Sequence, residues 1–189
     1  MELEKIVVAS GNKGKIAEIK AIFTGTEIIS MQELGFDGEI EETGKTFKEN
    51  AKIKAETIAK TFSLPALSDD SGLCVESLHG APGIYSARFS GEGDAENRKL
   101  LLKRLEHVSD RRAYFESAVC LCFPNGKTYF GEGRTYGKIL YEEIGTNGFG
   151  YDCLFYSEDL KKSFGLATEE EKNSVSHRYR ALCDLRKKI

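Results

Sequence analysis

Several features that define particular classes of protein are scarce or missing in this sequence. The 189 residues include only 3 prolines, and they contain no low-complexity segment and no internal repeat. The five cysteines are odd in number and lack any CxxC spacing, which argues against a structural zinc site and a secreted disulfide framework. No apolar run approaches the length of a membrane span, and the first, residues 6–9, is too short for a signal peptide. We therefore expect a cytoplasmic protein with no membrane partner.

Positive charge is not in excess either. The formal net charge is -3, and basic residues form only short clusters, such as the one at 186–188. Proteins that coat nucleic acid are normally basic or carry a dense basic stripe, so nucleic acid is not expected as a partner. The hydrophobic fraction of 40% and the charged fraction of 30% are instead typical of a chain that buries a sizeable core. Its length suits one domain or two intimate lobes.

Hydrophobic periodicity predicts alternating strands and helices in the first part of the chain. Residues 5–9 form a short, nearly continuous apolar run that is typical of a strand buried on both faces. A glycine-rich loop at 10–15 and a helical pattern follow this strand. A second helix is predicted at about 47–62, because Thr46 and Glu49 make a capping-box pattern and Pro65 lies beyond its end.

The later pattern is mixed. We predict strands at 66–68 and 73–75 on either side of a polar turn at 69–72, then a helix at 94–107 and a strand at 113–123. Asn125-Gly126 is the strongest hairpin signal in the chain and should lead into a return strand at 127–134. A strand at 151–156 and a terminal helix at 177–188 complete the pattern. The sequence therefore predicts an α/β fold, a central mixed β-sheet flanked by helices.

The loop at 10–15 is a candidate phosphate site. A strand that enters a helix through small residues presents backbone N–H groups and the positive end of the helix dipole, and both attract phosphate. Lys13 and Lys15 add full positive charges. An ordinary turn with solvated lysines explains the loop alone about equally well, since it matches neither the Walker A pattern nor GxGxxG.

The Asp-Asp-Ser-Gly sequence at 69–72 is a candidate metal site. Adjacent carboxylates repel each other, so a cation or hydrogen-bond donors should compensate them. Mg2+ prefers oxygen ligands and usually binds through one or two carboxylates plus substrate phosphates. Glu41 or Glu42 could deliver a further carboxylate to the same ion. The alternatives are a self-capping turn at 69–72 and a solvated loop at 41–42.

Two later segments could recognise a base. In the loop at 148–152, glycines allow close approach of a ligand to the backbone, and Phe149 could stack on a flat base. A turn with core aromatic residues is the alternative. Lys172, His177 and Arg178 offer donors for phosphate or base carbonyls, although His177 and Arg178, taken singly, are more often helix-end capping residues than ligands. Phosphate-binding backbone, carboxylates and an aromatic-glycine loop together indicate a nucleotide site.

Six motifs in a fixed order carry a family resemblance over about residues 5–185. They are SGNKGK at 10–15, ETGKTFKEN at 42–50, SDDSGL at 68–73, GAPGIYSAR at 80–88, FGYD at 149–152 and SHR at 176–178. With them, the sequence resembles the inosine triphosphate pyrophosphatase family of non-standard purine NTP pyrophosphatases. One departure is Cys153, which follows FGYD where family members commonly have proline and which removes no catalytic group.

The resemblance implies a single domain over 1–189 with two lobes, an active site in the cleft between them, a homodimer, and Mg2+ as cofactor. The implied reaction is hydrolysis of ITP, dITP or XTP to the monophosphate and pyrophosphate, with metal-assisted attack of water on the α-phosphorus. By position, Asp70 matches the proposed general base, and Glu42 and Asp70 match the metal ligands, with Glu41 a close second. The implied substrate contacts are Ser10, Gly11, Asn12, Lys13, Gly14, Lys15, Lys54, Ser71, Phe149, Gly150, Tyr151, Asp152, Lys172, His177 and Arg178.

Two other classes of function stay open at this point. A different nucleotide hydrolase, such as a dUTPase-like or septum-associated pyrophosphatase, would give the same kind of product from another base. A nucleotide-binding or regulatory protein would bind without turnover, and the Asp69-Asp70 pair would then be harder to explain. A nucleic-acid-binding module is a distant third, because of the net negative charge.

Overall fold

The computed structural model describes residues 3–189, which form seven strands and five α-helices. The strands are β1 (Lys5–Val8), β2 (Glu27–Ser30), β3 (Ala66–Val75), β4 (Arg112–Cys122), β5 (Thr128–Ile139), β6 (Phe155–Ser157) and β7 (Lys162–Ser163). The helices are α1 (Lys13–Ile22), α2 (Phe47–Phe62), α3 (Asp94–Arg104), α4 (Glu169–Val175) and α5 (His177–Arg186). Among these residues, no helix is both long and apolar enough to cross a lipid bilayer.

One sheet contains all seven strands in the order β2-β1-β3-β4-β5-β6-β7. Strand β1 lies parallel to β2 and β3, with Ile6 opposite Ile28 and Val7 opposite Ala66, whereas β6 is antiparallel to β5 and β7. The predicted α/β fold with a mixed, helix-flanked sheet is confirmed. The predicted hairpin also forms, since the N–H of Phe123 donates to Lys127 O. Gly126 has a φ of +84° but Asn125 has no positive φ, so the turn is not the type I′ turn that an Asn-Gly pair favours.

The chain divides into two compact units. Unit 1 comprises the chain up to Asp70 together with Ser117–Gly133 and Arg178–Ile189, and unit 2 comprises Ser71–Glu116 and Arg134–His177. In unit 1, residues of β1, β3 and β4 pack on one face against α1 and α5 and on the other against α2. The core of unit 2 joins the ends of β3, β4 and β5 to α3 and to three phenylalanines whose rings contact one another, Phe115, Phe155 and Phe164.

Helix α2 begins and ends where the sequence predicts, because both signals are local. The hydroxyl of Thr46 accepts the N–H of Glu49 at 3.1 Å, and Ser63 ends the helix with a φ of +52°. Other predicted bounds were less accurate. Strand β5 continues five residues beyond 134, and residues 152–154 form a 3₁₀ turn ahead of β6 where a strand was predicted.

All five cysteines are free, and they fall into two groups by exposure. Burial raises the pKa of Cys74 to about 11 and that of Cys120 to about 12, and Cys122 is also buried. Cys153 and Cys183 are half-buried. Since the thiolate is the reactive form, we expect Ellman's reagent at pH 8 to modify Cys153 and Cys183 in the folded protein, and the other three only after unfolding in guanidinium chloride. Rapid modification of all five would contradict the packing described.

Candidate active site

Asp69 and Asp70 lie inside strand β3, so the predicted polar turn at 69–72 is wrong. Successive side chains of a strand point to opposite faces of the sheet, and the two carboxylates therefore do not compete for one environment. Each is almost completely buried and each has its own partners. The apolar-polar-apolar pattern was misleading because buried donors and cations compensate these acids within the sheet.

The carboxylate of Asp69 belongs to a buried ionic network of unit 1. Its Oδ2 atom lies 3.0 Å from both Lys15 Nζ and Arg178 Nε, and Arg178 Nη1 also donates to both carboxylate oxygens of Glu18 at 3.1 and 3.0 Å. Burial alone would raise the pKa of Asp69, but the charges of Lys15, Arg178 and Lys54 hold it well below its usual range. Asp69 is thus a permanent anion that connects α1, β3 and α5.

Asp70 belongs to a second cluster, on the side of α2. Lys54 Nζ donates to Glu42 Oε1 at 2.6 Å and lies 3.7 Å from Asp70 Oδ1, while Asn50 Nδ2 donates to Asp70 Oδ2 at 3.1 Å. Burial raises the pKa of Asp70 above its ordinary value, in spite of the opposing charge of Lys54. A carboxylate with a raised pKa is a stronger base than a solvated aspartate, which suits proton abstraction.

The loop before α2 is shaped to deliver Glu42 to this cluster. The N–H of Gly44 donates to Asn50 Oδ1 at 2.8 Å, and a Cβ on Gly44 would lie 2.6 Å from that oxygen. Only glycine therefore fits at this position of the Glu-Thr-Gly motif. Glu41 is exposed, whereas Glu42 is half-buried against Lys54. The geometry thus favours Glu42 over Glu41 as the acid that shares Lys54 with Asp70.

Glu42 and Asp70 fit a divalent cation as a pair. The ammonium of Lys54 lies 2.6 Å from Glu42 Oε1 and 3.7 Å from Asp70 Oδ1, so both carboxylates are close to the same positive charge. Residues 3–189 hold no group of three or more His, Cys, Asp and Glu side chains arranged to bind a metal. Two carboxylates completed by substrate phosphates are the arrangement usual for Mg2+ rather than for a metal held by protein alone.

The loop at 10–15 is capped by its own side chains. Asn12 Oδ1 accepts the N–H groups of Gly14 and Lys15 at 2.9 and 3.2 Å, and Ser10 Oγ accepts the N–H of Asn12 at 3.2 Å. Helix α1 begins at Lys13, whose side chain is exposed. A phosphate here would bind through the lysine side chains or would replace these internal hydrogen bonds.

In unit 2, the loop at 148–152 presents an aromatic surface. The ring of Phe149 is 54% exposed, and Lys172 Nζ lies 4.6 Å from its centroid. Asp152 Oδ2 accepts both the N–H of Phe149 at 2.9 Å and Lys172 Nζ at 2.5 Å. Gly148 has a φ of +76°, and a Cβ there would lie 2.1 Å from Asp152 Oδ2, so this close turn requires glycine.

Other residues of the implied base-recognition set lie elsewhere. Tyr151 is buried in the core, where its hydroxyl donates to Ser86 O at 2.8 Å. His177 is buried and stacks on Phe115 with ring centroids 5.0 Å apart. Arg178 lies in the Asp69 network of unit 1. Of the predicted set, Phe149, Gly150, Asp152 and Lys172 are the ones that unit 2 brings together.

Comparison with known proteins decides the family. The model of the Ham1 family matches residues 6–188, nearly the whole chain. The chain belongs to the Ham1 family. The resemblance inferred from the six motifs is therefore confirmed.

Relatives of this Ham1-family chain match it over nearly their whole length. The dITP/XTP pyrophosphatase of Staphylococcus epidermidis is 45% identical over 182 residues, covering 95% of this chain and 93% of the relative. That of Geobacter sulfurreducens is 46% identical, covering 97% and 96%. Among solved structures, a HAM1 protein from Coxiella burnetii is 40% identical with a TM-score of 0.91, covering 98% of each chain. The Ham1 protein of Staphylococcus aureus is 41% identical with a TM-score of 0.89, covering 98% of this chain and 100% of that one.

Sequence reasoning missed two residues that shape the Ham1-family site described here. Asn50 is fully buried and orients Asp70, and Glu18 neutralises Arg178. The buried asparagine is a detectable signal, because it lies on the apolar face of α2 near Ala51 and Ala55, where a polar side chain needs a partner. Glu18 gives no such signal, since its partner lies 160 positions away.

Proposed function

We propose that this chain hydrolyses non-standard purine nucleoside triphosphates, dITP, ITP and XTP, to the monophosphate and pyrophosphate. The observation that carries the proposal is the buried cluster of Glu42, Lys54 and Asp70, which combines a base held in place by Asn50 with a second carboxylate and a cation that can bind phosphate. The names of the relatives, dITP/XTP pyrophosphatases, support the substrate class. A protein that only binds nucleotides has no need of such a base.

In the proposed mechanism, Asp70 accepts the proton of the water that attacks the α-phosphorus. Asn50 fixes one oxygen of that carboxylate by donating to Oδ2, which leaves Oδ1 directed towards Lys54. Lys15 and Lys54 stabilise the negative charge of the leaving pyrophosphate. Ser71 follows the base directly along β3 and serves as a further substrate contact.

The cofactor of the proposed reaction is Mg2+, which Glu42 and Asp70 would hold. When bound, it supplies neutralisation of the charge that develops on the phosphate oxygens. The carboxylate pair already stabilises one positive charge, the ammonium of Lys54. Lys54 must exchange this partner for substrate phosphate when the cation and the triphosphate bind together.

Lys54 therefore competes with the metal in the substrate-free protein. We expect Lys54→Met to raise the affinity for Mn2+ without nucleotide by about tenfold or more, since a positive charge next to the carboxylates is removed. Turnover should fall in the same variant, because a phosphate contact is lost. Titration of Mn2+ by electron paramagnetic resonance measures the affinity, with Lys52→Met, an exposed lysine of the same helix, as control. Unchanged or weaker Mn2+ binding in Lys54→Met would contradict this competition.

Base selection is proposed to involve the loop of unit 2. The exposed ring of Phe149 can stack on a purine, and donors near it can pair with the 6-keto oxygen of hypoxanthine or xanthine. Adenine carries a 6-amino group, which would leave a buried donor unpaired at a cost of about 1–3 kcal/mol. The family resemblance implies Lys172, His177 and Arg178 as these donors. Lys172 Nζ lies 4.6 Å from the ring centroid of Phe149, whereas His177 is buried against Phe115 and Arg178 against Asp69, so Lys172 is the donor proposed for this role.

We further propose a cytoplasmic homodimer that does not bind nucleic acid, with a single two-lobed domain over 1–189. The net charge of -3 supports the absence of a nucleic-acid partner. Size-exclusion chromatography with light scattering tests the dimer directly.

The proposed function is tested by pyrophosphate release from dITP, ITP, XTP, dATP, GTP and dUTP, with and without Mg2+. Fast, Mg2+-dependent release from the first three supports it. A preference for dUTP or GTP would keep the chemistry and reject the base assignment. Binding of ITP by the folded protein without any release would indicate a binding protein instead.

A further inference from the structure

Helix α3 holds the backbone of Gly150 at both of its hydrogen-bonding groups. The N–H of Gly150 donates to Asp94 Oδ2 at 3.1 Å, and its carbonyl accepts from Arg98 Nη1 at 3.0 Å. Asp94 and Arg98 are four residues apart and thus neighbours on one helix face. The Nε of Arg98 donates to Glu143 Oε1 at 2.7 Å, which fixes the guanidinium plane.

Within the loop at 148–152, Phe149 and Tyr151 bond to Asp152 and to Ser86, whereas the backbone of Gly150 between them is bonded to α3. A cavity of about 390 Å³ adjoins the loop, lined by Asp94, Arg98 and Glu143 as well as by Phe149 and Cys153. Gly150 has a φ of +59°, a conformation that glycine enters and leaves easily. Polar contacts with α3 therefore set the position of the Gly150 backbone, and the neighbouring ring of Phe149 depends on it through the shared peptide bond.

We propose that Asp94 and Arg98 are positioning residues that fix the stacking surface of Phe149 and thereby set the discrimination between bases. This inference rests on the proposed function. It assigns them no part in the chemical step, because Glu42 and Asp70 belong to unit 1 and have partners of their own. Loss of either contact lets the ring shift, and hydrogen bonds to the base weaken steeply once their geometry is lost.

The test compares kcat and KM for dITP and dATP in wild type, Asp94→Ala, Arg98→Met and Arg98→Lys. Each variant should raise KM for dITP and lower the dITP:dATP ratio of kcat/KM about tenfold, with kcat for dITP within about twofold of wild type. Arg98→Lys keeps the charge but lacks the planar fork that serves Glu143 and Gly150 together. Asp94→Asn, which keeps an acceptor oxygen for the N–H of Gly150, should keep the wild-type dITP:dATP ratio of kcat/KM.

Lys99→Met is the matched control, since it removes a charge from the same helix at a side chain that contacts Glu96 and not the loop. Thermal unfolding identifies any variant that has lost its fold. If Asp94→Ala or Arg98→Met does not fold, Arg98→Lys and Asp94→Asn still allow the comparison. A wild type that prefers dITP, with folded variants of unchanged ratio, overturns this inference and leaves the proposed function standing. A wild type without preference between the bases overturns both.

Discussion

Asp70→Asn is expected to lower kcat for dITP by about 10²- to 10⁴-fold, the usual contribution of a general base. Asparagine has the same shape as aspartate but accepts no proton, and it contributes no charge to the pair with Glu42. The fold should be kept, because Lys54 retains Glu42 as a partner at 2.6 Å. Steady-state kinetics and a thermal unfolding curve on the same sample measure both effects.

A neighbouring acid supplies the control for this prediction. Glu41→Gln removes an exposed carboxylate next to Glu42 and should leave kcat close to wild type, whereas Glu42→Gln should reduce it strongly. Near-normal turnover by a folded Asp70→Asn protein would show that another group accepts the proton. A large effect of Glu41→Gln would show that Glu41, and not Glu42, is the metal ligand.

Arg178→Met is expected to lower the free energy of unfolding by about 3–5 kcal/mol, the usual cost of removing one partner from a buried ion pair. The side chain of Arg178 is only 3% exposed, and its loss leaves the carboxylates of Asp69 and Glu18 without their shared cation. Lys15 compensates Asp69 in part. Urea denaturation followed by circular dichroism measures the change.

Two companion variants separate this effect from a general loss of charge. Lys52→Met breaks an exposed pair with Glu56 and should cost less than about 1 kcal/mol. Adding Glu18→Gln to Arg178→Met should recover part of the stability, because one uncompensated buried anion is removed. Wild-type stability of Arg178→Met with a raised KM for dITP would instead support the base contact that the family resemblance implies.

Local signals allowed the sequence to predict much of the fold. Helix α2 could be bounded correctly because Thr46 and Pro65 act within a few residues of its ends. Strand β3 could not be recognised as continuous, since its acidic pair is polar by composition and the groups that compensate it, among them Lys15, Arg178, Lys54 and Asn50, lie on other elements. The sequence of a strand that buries two carboxylates on opposite faces resembles that of a polar turn, unless the partners of the carboxylates are known.

The candidate site shows the same contrast between local signals and long-range contacts. Motifs marked Glu42, Asp70 and Phe149 as candidates, because the residue types themselves suggest metal, base and stacking chemistry. The contacts that position them are long-range: Asp94 and Arg98 lie 56 and 52 residues from Gly150, and Glu18 lies 160 residues from Arg178. No spacing or periodicity in one sequence reports such pairs, so positioning residues emerge only from the folded structure.

The central claim is tested most directly by ³¹P NMR of dITP hydrolysis in H₂¹⁸O with Mg2+. Attack on the α-phosphorus predicts dIMP and pyrophosphate as the only products, with the ¹⁸O isotope shift on the dIMP phosphorus and none on pyrophosphate. Formation of dIDP and inorganic phosphate, or label in the pyrophosphate, would contradict the account.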